Sequence, residues 1–185
     1  MEKRWKILSI TSVGLFMASL DLFIVNLALP SIARDFGNAS LSNLSWVLNA
    51  YAIVFAALLV PAGRIADRIG RKRVFTTGFV LFTVSSIAAG MAGSIEVLDI
   101  TRGIQGIGGA LLFATSLSLL AEAFPRPEER VKALAAYGAS IGAAFAFGPL
   151  LGGALTSAFG WEAVFFVNVP LGILGMIGTA RYVRE

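Results

Sequence analysis

Three residues able to do chemistry stand inside stretches that are otherwise apolar. Asp21 interrupts Leu20-Asp21-Leu22-Phe23-Ile24-Val25-Asn26-Leu27-Ala28-Leu29, Arg102 opens Arg102-Gly103-Ile104-Gln105-Gly106-Ile107-Gly108-Gly109-Ala110, and Asn168 lies in Val167-Asn168-Val169-Pro170. Counted at the helical rise from the end marked by Pro30, Asp21 sits roughly 13 Å deep, beyond the reach of a short side chain to water. Arg102 sits roughly 9 Å deep from the same side. A carboxylate in such a place costs about 2.5–3.5 kcal/mol on insertion scales, so it must face a cavity or a partner. An ionisable residue inside a membrane span is by default read as part of a functional site. Two plainer readings stand beside this one. Asp21 can serve only to hold helices together, and Arg102 has a local partner in Asp99, three residues back on the same helical face.

A second group of charges is packed into Gly63-Arg64-Ile65-Ala66-Asp67-Arg68-Ile69-Gly70-Arg71-Lys72-Arg73, which holds five of the 15 Lys and Arg. Gly63 allows a close backbone approach and Gly70 a tight turn. Asp67 is the one carboxylate among these cations and must pair with some of them or cap a helix. The segment reads either as a basic loop that fixes orientation or as a gate. Elsewhere the chemistry is narrow. With no Cys and no His, disulfides, thiolate nucleophiles, His-based triads and the usual zinc sites are excluded. No metal site and no cofactor is expected, and no nucleophile–base set for an enzyme is visible.

These residues need a membrane scaffold. The chain is 57% hydrophobic and 14% charged, where soluble domains carry about a quarter charged residues. A helix needs roughly 20 mostly apolar residues to cross the hydrocarbon core. Six segments qualify: 7–29, 46–62, 74–93, 97–121, 132–157 and 162–181. Segment 30–45 could carry a short interfacial helix, with Trp46 and Tyr51 opening the second span where aromatic residues favour headgroups. Of the 15 Lys and Arg, Lys3, Arg4, Lys6, the five central cations, Arg126, Arg130, Lys132, Arg181 and Arg184 fall on one side. Arg34 alone falls on the other, and Arg102 is inside. The positive-inside rule therefore predicts that both termini are cytoplasmic, and the location expected for this multi-pass protein is the cell inner (plasma) membrane. The same clustering of cations in loops argues against a nucleic-acid partner.

Taken together, these motifs resemble the major facilitator superfamily, in order and over nearly the whole chain. The central segment resembles that superfamily's signature between the second and third helices. The stretch from Arg102, with Gln105, Gly106 and Gly109, resembles its fourth-helix motif. Gly148-Pro149-Leu150-Leu151-Gly152-Gly153 resembles the fifth-helix motif of antiporters, although Ala144 and Ala135 stand where Gly is preferred. The stretches around Asp21 and from Trp161 to Pro170 resemble the fourteen-helix drug:proton antiporters, with Phe23 in place of the usual Thr. The resemblance implies an all-α membrane protein, residues 1–185 forming one six-helix amino-terminal bundle of two three-helix repeats, though no repeat is visible in the residues. It implies proton-coupled export of amphipathic small molecules by alternating access. Asp21 and Arg102 would be the coupling pair, and Gly63, Asp67, Arg68, Gly70, Arg71, Lys72 and Arg73 the cytoplasmic gate. Asn26, Tyr51 and Asn168 would be cavity groups, Asn168 with Pro170 reading equally well as a satisfied kink. The partners expected are substrate, protons, the lipid bilayer, and either a second six- or eight-helix bundle or a second copy of the chain. The rival expectation is a truncated or partner-dependent half without transport activity of its own.

Overall fold

The computed structural model describes residues 3–37 and 39–183, and among these six helical stretches are long and apolar enough to cross a membrane. They are α1 (Lys3–Asp35), α2 (Leu41–Ile69), α3 (Arg71–Gly90), α4 (Ile95–Ala123), α5 (Pro127–Phe159), and a last span made of α6 (Ala163–Phe166) and α7 (Asn168–Tyr182). Each expected span is present, and most are longer than the apolar window suggested. Capping explains much of the difference. Ser40 accepts from the Asn43 amide at 3.2 Å to start α2, and Ser94 accepts from the Val97 amide at 3.4 Å to start α4. Pro127 begins α5 with Glu128 and Glu129 in its first turn, where carboxylates favour the positive end of the helix.

Two local expectations are corrected. The stretch after Pro30 is no separate interfacial helix, because α1 runs through Pro30 to Asp35. One lost backbone bond is outweighed by tertiary contacts: Ile32 is fully buried and Asp35 accepts from the Trp161 indole at 2.7 Å. The basic segment is likewise not an extended loop. It is the end of α2 and the start of α3, and only Gly70 between them leaves the helical form, with φ +107°.

α4 packs on α2 and α3, α1 on α5 and α7, and α3 on α7. This pattern is unchanged when α1 is exchanged with α4, α2 with α5, and α3 with the last span, as expected for two three-helix repeats. The symmetry lies in packing and not in residue identities, which is why the sequence hides it. Without a hydrophobic drive between helices in lipid, close packing through small residues must hold them. A Cβ on Gly106 would lie 2.6 Å from the Tyr51 carbonyl oxygen, and one on Gly148 2.8 Å from the Phe23 Cβ. Gly109 and Gly152 extend the same two seams against Tyr51 and Ile24. By contrast, a Cβ on Gly153 or Gly63 meets nothing within 4 Å.

These contacts set an expectation for thermal denaturation of the intact protein in detergent. Gly106→Ala should cost about 1–3 kcal/mol, since the backbone of α2 must shift. Gly153→Ala should stay within about 0.5 kcal/mol. Equal stability of the two variants would show that the α2–α4 seam tolerates separation.

Candidate functional site

Two of the four apolar clusters among the described residues flank the middle of the bundle. One contains Ile24, Val25, Leu98, Val47 and Phe165, and the other Met17, Ala18, Tyr51, Phe82 and Leu112. Between them, at the turn of each helix where one cluster gives way to the other, lies a single polar layer. It comprises Asp21 from α1, Ser86 from α3, Arg102 and Gln105 from α4, and Asn168 from α7, all fully buried.

The layer is closely bonded. Arg102 Nη1 donates to Asp21 Oδ2 and, at 2.7 Å, to Gln105 Oε1. The other carboxylate oxygen, Asp21 Oδ1, accepts from Gln105 Nε2 at 2.8 Å and from Asn168 Nδ2 at 3.0 Å. Ser86 Oγ accepts from the same two amides at 2.8 Å and 3.4 Å. Arg102 Nε reaches across to the Val47 carbonyl of α2 at 2.9 Å, and its guanidinium lies 4.6 Å from the centre of the Tyr51 ring. An ion pair with amide donors on its carboxylate and an aromatic face against its cation offsets much of the cost of burying charge. Two atoms of the layer keep no hydrogen-bond partner, Arg102 Nη2 and Asn168 Oδ1.

This geometry decides the sequence alternatives for Arg102. Its partners are Asp21, Gln105 and Val47, while Asp99 Oδ1 is buried without a hydrogen-bond partner. Asn168 joins the layer instead of serving only as a kink. Tyr51, expected near the headgroups, is fully buried beside Arg102, because the small faces of Gly106 and Gly109 draw it against α4. Asn26 is the exception among the cavity candidates. It is exposed, stands apart from the layer, and donates to the Leu22 carbonyl of its own helix at 2.6 Å. Sequence reasoning missed Ser86 and the Val47 carbonyl. The polar pair Ser85-Ser86 inside the third apolar run was a visible signal for the first; a backbone acceptor leaves none.

Beside the layer, an apolar concavity of about 230 Å³ is lined by α1, α2, α4 and α5, including Leu22, Phe23, Tyr51, Phe55, Phe113 and Ile141. Tyr51 belongs to both, one wall shared by the apolar surface and the ion pair.

The second charged group lies at the opposite end of α2 and α4. Arg71 bridges Asp67 at 3.3 Å and Glu122 at 3.5 Å, tying the start of α3 to the ends of α2 and α4. Glu122 was not among the residues singled out from sequence. These carboxylates are well exposed, so each contact is worth at most about 1 kcal/mol and is easily remade. Arg64 and Arg68 project from the exposed face of α2, and Lys72 and Arg73 begin α3. Gly148 and Gly152 of the fifth-helix motif pack on α1, Pro149 is inside a continuous α5, and Gly153 is exposed.

Residues 11–185 match the family model described as Major Facilitator Superfamily. The chain is 42% identical over 175 residues to "Multidrug resistance protein Stp" of Mycobacterium tuberculosis, covering 95% of this chain and 32% of that relative. It is 36% identical over 176 residues to "Riboflavin transporter RibZ" of Clostridioides difficile, covering 95% and 38%. To "Methylenomycin A resistance protein" of Streptomyces coelicolor it is 39% identical over 172 residues, covering 93% and 36%. The chain thus spans 32% to 38% of the length of these relatives.

The burial of the ion pair carries a stability expectation. Arg102→Gln should destabilise the intact protein by about 3–5 kcal/mol, because it leaves the Asp21 carboxylate buried without its cation. Adding Asp21→Asn to that variant should restore part of the loss. Purely additive losses in denaturation of the single and double variants would show that the two side chains do not act as a pair.

Proposed function

Since the chain belongs to the major facilitator superfamily, we propose that it is the six-helix amino-terminal bundle of a proton-coupled exporter of amphipathic small molecules. The observation that carries this reading is the buried contact of Asp21 with Arg102, Gln105 and Asn168, one wall away from an apolar concavity. A carboxylate in that place has two stable conditions. Ionised, it needs the guanidinium and the two amides; protonated, it releases the guanidinium. A rocking motion of one bundle against another supplies the change between them. Inward proton movement is worth about 2.3 kcal/mol per charge per 100 mV, which drives the outward step of the substrate. The concavity suits an apolar substrate body.

In this reading the second bundle completes the cavity and the gate, and it is supplied either by further sequence or by a second copy of the chain. Gly63, whose Cβ position meets nothing, and the exposed cations Arg64 and Arg68 form the surface it covers. The weak Asp67–Arg71–Glu122 contacts form the cytoplasmic gate with Gly70 as its turn, and the excess of cations at that end sets it toward the cytoplasm of a plasma membrane. The relatives' names favour small-molecule transport, with multidrug resistance as the first reading and riboflavin transport as the second.

Two expected outcomes test this in proteoliposomes of the intact assembly, with an imposed pH gradient and a panel of dyes, antibiotics and riboflavin. Asp21→Asn should abolish gradient-driven accumulation, and undiminished accumulation removes Asp21 from coupling. Asp67→Asn should reach the membrane normally and yet stop the transport cycle. Wild-type flux in Asp67→Asn leaves the basic segment with a role in orientation alone. Riboflavin accumulation without dye or antibiotic movement selects the second substrate reading.

A further inference from the structure

Asp99 is the one carboxylate near the polar layer that the coupling reading leaves without a task. It stands three residues before Arg102 on α4, about 5–6 Å away at the Cβ level. It is half-buried, with Oδ1 buried and unpartnered, and Arg102 Nη2 is the unpartnered donor on the other side. Long helical side chains lean toward the amino-terminal end of their helix, which here is the end carrying Asp99. α2 and α4 run in the same direction: Gly106 packs at Tyr51, and four residues earlier on both helices Arg102 meets the Val47 carbonyl. The guanidinium held by Asp21 therefore lies level with its own turn of α4, and Asp99 stands on the turn before it, in the direction of that lean.

From these observations we propose that Asp99 is a second carboxylate for Arg102, receiving its guanidinium when Asp21 no longer holds it. The proposal rests on the coupling reading above and gives it a missing part. When Asp21 becomes neutral, a fully buried cation loses its charge partner, and an unpaired buried charge is strongly destabilising. A change of side-chain rotamer toward Asp99 restores an ion pair without moving a helix. Charge in the surroundings does not compete for the guanidinium. Residues 41–51 of α2 and 84–90 of α3 carry no charged side chain, and Glu96 is an exposed residue one turn further out on α4. The two carboxylates differ in access, since Asp21 is sealed between apolar clusters and Asp99 is partly open. Arg102 thus alternates between a closed site and one near the outer end, and Asp99 acts as a positioning residue.

A stability cycle on the intact assembly tests the exchange without relying on transport. In the wild-type background Asp99→Asn should change Tm little. In the Asp21→Asn background, where Arg102 has moved, the same substitution should lower Tm by about 2–4 °C or more. An equal effect in both backgrounds overturns the proposal. A kinetic arm avoids the Asp21 variant altogether. Asp99→Asn should lower kcat for transport several-fold at unchanged KM, and Asp99→Glu should recover it; unchanged kcat in Asp99→Asn overturns the proposal as well. The coupling reading fails by a different result, gradient-driven accumulation in Asp21→Asn, so the two failures are distinguishable.

Discussion

A charged pair sealed in a medium without water is the constraint on which the rest of the bundle depends. Neither Asp21 nor Arg102 can be left alone at that depth, and neither reaches water by extending its side chain. The pair therefore has to be met from several helices at once. α1 brings the carboxylate, α4 the guanidinium and Gln105, α7 the Asn168 amide, α3 the Ser86 hydroxyl, and α2 a backbone carbonyl. Register along α1, α3, α4 and α7 is constrained by the need to deliver polar side chains to the same layer.

The seams between the helices follow from the same requirement. A guanidinium of α4 reaches the α2 backbone only if the two helices approach closely, and Gly106 and Gly109 make that approach where any Cβ would collide with Tyr51. Above and below the layer, aromatic and branched side chains close off water, with Phe165 and Trp161 on one side and Phe75, Phe79 and Phe82 on the other. The consequence is a division of labour. Strong, dry contacts in the middle hold the bundle, while the exposed Asp67–Arg71–Glu122 contacts at its basic end are weak enough to be remade. A transporter of this family needs both kinds, a stable bundle and a contact that opens.

Much of this was legible in the sequence because a membrane narrows the choices. Long apolar runs must be helices in lipid, which located all six spans. An Asp and an Arg at comparable depth made a meeting between them possible, and the glycines around Arg102 pointed to a close seam. What escaped had physical reasons. Asp99 competed with Asp21 as the partner of Arg102, and spacing along one helix says nothing of what a neighbouring helix presents. The Val47 carbonyl carries no residue signal at all. Asn26 looked equivalent to Asn168 as an amide within a span, yet it turns to its own backbone on the exposed side of α1. Pro30 suggested a helix end, and the burial of Ile32 carried α1 past it. The pseudo-symmetry of the two three-helix halves is a property of packing, so no residue pattern reports it.

The central claim is that the proton exchanged during transport resides on Asp21 and is traded against Arg102. Proton release on substrate binding measures this most directly, using purified intact transporter in weakly buffered detergent with a pH-sensitive dye. The account predicts that a transported substrate releases protons from the wild-type protein and none from Asp21→Asn, with substrate binding checked separately in both. Release of the same size from Asp21→Asn would contradict it, because the exchanged proton would then belong to another group.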